Sequence, residues 1–291
     1  MSTIATDILL DSIERLPEEK LNNYRPFIVG NDTPLTAKVL TPHKLNQDFI
    51  LVGTSLMRSV ELGCRLAESE TIIPKIIIVD NSKHTSAAWK RLKEFFETTS
   101  LDAKSVLEDD DGLLEYIHTM DVPIKTDEYD FKFLKLLFSD YDLDYIKKII
   151  KEVVVIEQDW ENTEIFSNIR EIYHDIPIVA YSSNIIDFVR PPSQEMVLRS
   201  IHALQPCLSL CTNYDTKARK PTKSYVFTDT TPLLVAESMD LDKVTIGSLK
   251  KAVELNDDIP KEAVKKFGTA IKELKEKQEI AIEIENQKPV P

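Results

Sequence analysis

Short apolar runs alternate with stretches of helical period over most of the chain. Residues 49–52 (Phe-Ile-Leu-Val) and 76–79 (Ile-Ile-Ile-Val) are four-residue runs of buried type, too short for helices and suited to strands covered on both faces. Between them Leu56, Val60, Cys64 and Ala67 recur at helical spacing, which predicts a helix over 55–67. Strand, turn, helix and strand make one βαβ unit, whose parallel strands are joined by a right-handed crossover. Ala88, Leu92, Phe95 and Phe96 predict the next helix, with Trp89 on its flank. Regular alternation then stops, and 99–151 reads as a helical insertion with pieces at 113–120, 131–139 and 143–151. Strands follow at 153–156, 176–181 and 207–211, with helices at 162–173 and 194–204 between them.

The order βαβα, insertion, βαβαβ predicts an α/β fold: a doubly wound, mostly parallel Rossmann-like sheet with helices on both faces, spanning 48–236. Residues 1–47 form a cap, with a helix at 6–16 stopped by Pro17 and a remainder broken by Pro26, Pro34 and Pro42. A lead-in of this kind folds over the ligand end of such a sheet either as a lid or as a stabilising wrap. Residues 237–291 form a helical extension, with Ile246, Leu249 and Val253 on one apolar face and Val264, Phe267 and Ile271 on another. The insertion's aromatics (Tyr116, Tyr129, Phe131, Phe133, Phe138, Tyr141 and Tyr145) are expected to form a small satellite core, with a substrate pocket as the alternative.

The first turn carries the candidate chemistry. Gly53 lets the backbone turn sharply, free N–H groups near Thr54 and Ser55 attract an anion at the helix start, and Asp80 can accept from ribose hydroxyls. Ligands of such sheets sit beyond the carboxyl ends of the strands, where Gly53, Asp80, Asp159 and Asn184 are all expected. The dinucleotide fingerprint has three glycines in this turn, and this one has a single glycine, in a chain with six.

Composition narrows the function classes. A net charge of −13 argues against a nucleic-acid partner or an anionic membrane surface, because neutralising phosphates takes a basic face. No apolar run reaches membrane-spanning length, and the first residues lack the basic-then-apolar order of a signal peptide; the expectation is a cytoplasmic protein, or one exported without a cleaved signal. Cys64, Cys207 and Cys211 are expected to be buried structural thiols in a reducing compartment. Consecutive carboxylates at 108–111 point in different directions, and no metal site is expected. Lys217, Arg219, Lys220 and Lys223 make a basic loop expected in a hairpin connection.

Over 48–236 the chain resembles the class I, Rossmann-like S-adenosylmethionine-dependent methyltransferases. Ile50-Leu-Val-Gly-Thr54 stands where that family has its glycine-rich first motif, Asp80 where its acid closes the second strand, Glu157-Gln-Asp-Trp160 after the third strand, and Tyr181-Ser-Ser-Asn-Ile-Ile-Asp187 at the fourth motif. The resemblance implies S-adenosylmethionine as cofactor. It also implies Gly53, Thr54 and Ser55 at the methionine end, Asp80 on the ribose, Asp159 on the adenine amino group and Trp160 against the ring. Tyr181, Asn184 and Asp187 would position a small-molecule or protein methyl acceptor. It further implies an antiparallel final strand, for which 224–228 and 233–236 could supply the last two strands. The glutamate-rich tail is similar to C-terminal translocation signals of bacterial effectors.

Two other readings share these residues. One is a catalytically inactive Rossmann-like module that binds a protein through the insertion or the C-terminal helices. The other is an NAD(P)-binding oxidoreductase, which the missing glycines disfavour because pyrophosphate demands closer backbone approach.

Overall fold

The computed structural model describes residues 9–10, 13–30, 40–100, 102, 105–108, 112–126, 128–189, 191–215 and 220–227. Strand β1 is Ile50–Gly53, β2 Lys75–Asp80, β3 Val154–Glu157, β4 Ile178–Ser183, β5 Leu208–Asp215 and β6 Lys220–Phe227. The helices are α1 Met57–Leu66, α2 Lys83–Thr98, α3 Ser105–Glu108, α4 Leu113–Thr119, α5 Glu128–Asp140, α6 Leu143–Lys151, α7 Thr163–Ile172, α8 Ile185–Phe188 and α9 Pro191–Leu204. Strands β1, β2 and β3 pair in parallel, as do β4 and β5, with β6 antiparallel to β5, an α/β Rossmann-like fold as expected.

The chain divides into two compact units, one of residues 1–31 and 45–159, the other of 32–44 and 160–291. In the first, β1, β2 and β3 pair in parallel, with Leu51 opposite Ile76, Ile78 opposite Val155, and Asp80 opposite Glu157. All four residues of β1 and the first five of β2 are buried, as double-sided cover requires. Burying each of the aliphatic side chains contributes about 1.5–3 kcal/mol. Leu56, Val60, Cys64 and Ala67 lie in the core as expected, but α1 is buried nearly all round, Arg58 and Glu61 included, rather than on one apolar face.

The start of α1 departs from expectation for a physical reason. Ser55 has φ +73°, a left-handed backbone that cannot belong to a right-handed helix, so α1 begins two residues later at Met57. Helix α2 opens on Ser82, whose side chain accepts from the His84 N–H at 3.2 Å. Helix α6 opens on Asp142, which accepts from the Asp144 and Tyr145 N–H groups at 2.8 and 3.2 Å.

The insertion is helical as expected; Tyr141 and Tyr145 pack on each other within it, ring centroids 6.4 Å apart, but two of its other aromatics pack outside it. Tyr116 packs on Phe95 and Phe138 on Phe96, with ring centroids 5.0 and 6.1 Å apart, so they join the layer of α2. Phe131 is exposed. The expected helix over 6–16 also fails at its end. Residues 13–17 have no regular structure, and the Leu16 N–H donates to the Glu157 carbonyl at 3.2 Å instead of to a helical turn.

In the second unit β4 pairs with β5 in parallel and β5 with β6 antiparallel, while α7 packs on α9. Strand β4 begins after Pro177, which has no N–H to give to a ladder. Cys64 and Cys211 are buried, but Cys207 is exposed, because it sits at the turn just before β5 rather than within it. The side chain of Tyr129, residues 233–236, the extension 237–291, and the loop residues Lys217 and Arg219 fall outside what is described. So does most of the acidic run.

Candidate functional site

Three strand ends of the first unit come together at one rim. Thr54, in the turn after β1, donates from Oγ1 to Asp80 Oδ2 at 3.4 Å. Asp80 Oδ1 accepts from the Ser82 N–H at 2.7 Å. Asn81 donates from Nδ2 to Asp159 Oδ1, which ties the end of β2 to the segment after β3. Asp80, the last residue of β2, and Asp159, two residues beyond β3, thus lie near one another at the ends of adjacent strands.

Their electrostatics follow from that placement. Loss of water around Asp80 pushes its carboxyl above the ordinary carboxylate range. Donors from Ser82, Thr85 and Thr54 oppose the shift, and the nearby charge of Asp159 adds to it. A carboxylate so placed gains from any ligand hydroxyl that donates to it.

The rim is also strapped by the chain's own leading segment, residues 14–30. From the β3 end to the β1 turn, Gln158 donates from Nε2 to the Glu14 carbonyl, Leu16 donates to Glu157, and the Asn22 N–H donates to the Asn81 carbonyl at 2.9 Å. The Asn22 side chain donates to Asn81 Oδ1, and Ser82 Oγ donates to the Tyr24 carbonyl. At the β1 turn, Ser55 Oγ donates to the Val29 carbonyl at 2.9 Å, and the Met57 N–H donates to the Ile28 carbonyl at 2.7 Å. Helix α1 has no side-chain cap, so a main-chain carbonyl of the strap satisfies its first N–H. Gly30, at φ +111°, supplies the left-handed turn beside this contact, its α-carbon face 3.5 Å from Ser55 Oγ where a Cβ would stand.

These contacts decide how an adenosyl cofactor fits. The acceptors are suitable: Asp80 for a ribose diol and Asp159 for an amino group. The donors are engaged, since the Met57 N–H and the Asn81 amide already serve the strap and Asp159. Gly53, buried in β1, leaves the turn without a side chain.

The remaining predicted residues lie in the second unit. Trp160 is buried against Phe166, ring centroids 5.0 Å apart, and so is part of that unit's core. Tyr181 is buried in β4. Asn184 stands at the N-cap of α8 without making a side-chain cap bond, after Ser183 at φ +54°, and Asp187 lies in the helix's only turn.

Sequence reasoning missed Asn22, Asn81, Ser82 and Ile28. Asn81 was findable, being the residue directly after the acid that closes β2. Ile28 was not, because it acts through its carbonyl, which any residue has. Arg58 was also missed: it is buried, pairs with Glu61 at 3.2 Å and lies 4.3 Å from the ring centroid of Phe133. A buried pair of this kind, anchoring α1 to α5, is a structural feature.

No protein-family model matches the chain, and no curated protein matches it.

Proposed function

We propose that the rim formed by β1, β2 and β3 binds an adenosyl nucleoside, and that the protein is a methyltransferase or methyltransferase-like protein using S-adenosylmethionine. The observation that supports this reading is the hydrogen bond from Thr54 to Asp80, with Asp159 one strand away: the turn, the ribose acid and the adenine acid of the resemblance share one edge. In this reading Asp80 accepts from the ribose hydroxyls and Asp159 from the adenine amino group. Thr54 and Ser55 border the methionine end.

The cofactor, when bound, supplies an electrophilic methyl on a sulfonium, whose departing sulfide is neutral. The protein's task is therefore alignment and, for a protonated acceptor, removal of one proton. Tyr181, Asn184 and Asp187 are assigned to a small-molecule or protein acceptor, with Asp187 as the group that could take the proton. Trp160 is assigned to the adenine ring on the resemblance alone, and its packing on Phe166 argues for a supporting part.

A second reading rests on the strap. Because residues 14–30 satisfy the donors a ligand would use, the fold also suits a catalytically inactive module that meets a protein partner through the insertion or the C-terminal helices. An NAD(P) oxidoreductase remains the weakest of the three, since a pyrophosphate would need several main-chain donors at this turn. Among the described residues no helix is long and apolar enough to cross a membrane. The assignment of a cytoplasmic protein without a nucleic-acid partner, exported if at all without a cleaved signal, rests on charge and cysteine usage. The effector idea rests on the tail alone.

Calorimetric titration of the full chain with S-adenosylmethionine, then with NAD, tests the choice. The proposal expects saturable heat with the former that Asp80→Ala removes. Absence of heat with both ligands, or heat indifferent to Asp80→Ala, leaves the interaction module as the account.

A further inference from the structure

A cavity lies in the first unit, between α2 and α6, with a volume of about 300 Å³. Its wall is unusual for a chain of net charge −13: Lys93 comes from α2, and Lys147, Lys148 and Lys151 come from α6. Phe96 and Ile150, both buried, give it an apolar floor. Two of the ammonium groups are partly used: Lys93 donates to the Val153 carbonyl at 2.6 Å and Lys147 to the Thr99 carbonyl at 3.2 Å. Lys148 and Lys151 are exposed and make no hydrogen bond or ion pair among the described residues.

The acids facing this space are Glu97 and Asp144, and Glu152 acts on Lys93 from outside the lining. Four ammoniums against two lining carboxylates leave two positive charges in the cavity wall. Helix geometry alone explains basic residues in the last turn of α6, where they complement the dipole. It does not explain Lys93, which reaches the same space from another helix.

We propose that this cavity is a binding site for a small organic phosphate monoester with an aromatic or branched apolar body. A phosphate monoester carries about −1.5 to −2 charges at neutral pH, which matches the excess in the wall, whereas a carboxylate carries one. The volume is at the small end for ligand pockets and suits a single ring bearing the phosphate. Phe96 and Ile150 take the body, while Lys148 and Lys151 supply the unspent donors to its oxygens. The site is independent of the rim that would hold the nucleoside.

The test is calorimetric titration of the full-length protein with phenyl phosphate, inorganic phosphate and benzoate at low salt. The proposal expects saturable binding of phenyl phosphate, about tenfold tighter than either of the other two. It expects Lys148→Gln with Lys151→Gln to weaken that binding by about tenfold, and Lys90→Gln, an exposed lysine elsewhere on α2, to leave it unchanged. Both lysines are exposed, so the fold should persist, and far-UV circular dichroism checks it; either single variant, expected to lose about threefold, replaces a double variant that misfolds. Absence of saturation, equal affinity for inorganic phosphate, or binding indifferent to the lysine variants each overturns the proposal.

Discussion

Two polar regions of the first unit handle their hydrogen-bonding groups in opposite ways. At the rim of β1, β2 and β3 the groups already have partners: Asp80 accepts from Thr54 and Ser82, Asp159 accepts from Asn81, and the helix-start N–H donates to Ile28 of the segment 14–30. Between α2 and α6 the lysines of the cavity wall keep donors free, Lys148 and Lys151 all of theirs among the described residues. A sequence motif marks the first region and nothing marks the second. A motif records which groups could serve a ligand. Whether those groups are free depends on what else the chain folds over them.

The largest effect expected is at the rim. If Asp80 accepts two ribose hydroxyls, Asp80→Ala should weaken S-adenosylmethionine binding by about 100-fold in a calorimetric titration, since hydrogen bonds to a charged acceptor contribute about 1.5–3 kcal/mol each. A loss below threefold would remove Asp80 from the site. On the strap side, Gly30→Ala should destabilise the fold by about 1–2 kcal/mol, because φ +111° is a conformation that side chains disfavour. A urea midpoint unchanged by that substitution would mean the strap is not needed for stability. On α6, outside the cavity lining, Tyr145 donates from its hydroxyl to the Ile72 carbonyl at 2.9 Å and holds the helix down. Tyr145→Phe should therefore cost about 1 kcal/mol by the same denaturation measurement.

The smallest expected effect is one of sign. Asp80 is raised above its ordinary value of 3.8 in the folded chain, mainly by burial, so folding favours its protonated form. Stability from this group is then present below the unfolded value and is lost as pH rises through the folded one. Asp80→Asn should raise the melting temperature at a pH above the folded value of the wild-type carboxyl, and the gain should shrink as pH falls towards the ordinary carboxylate value. A variant less stable than wild type at that higher pH would show that the charged form is the one the rim favours.

Much of the fold was legible because double-sided burial writes itself as unbroken apolar runs. The runs 49–52 and 76–79 became β1 and β2, and the period of Leu56, Val60, Cys64 and Ala67 marked core positions in and beside α1, a helix buried nearly all round. The helix boundaries were less so: Ser55 was placed inside α1 because composition does not reveal a left-handed φ. That Asp80 and Asp159 lie near one another was legible, since strand ends follow from strand order. The strap was illegible for a different reason. It works through the carbonyls of Glu14, Tyr24, Ile28 and Val29, groups common to every residue, and only Gly30, one of six glycines in the chain, hinted at a forced turn. The insertion's aromatics were read as a separate core because the sequence cannot show that Phe95 and Phe96 turn towards them.

The account's central claim is that the rim is a nucleoside site held shut by the strap, and Asn22→Ala tests it most directly. This change removes the side-chain bond to Asn81 while leaving Asp80, Asp159 and Thr54 in place. Titrated with S-adenosylmethionine beside the wild type, the variant should bind several-fold more tightly, because a closed form that must open lowers apparent affinity in proportion to its population. Affinity that stays the same or falls, or no binding by either protein, would contradict the claim.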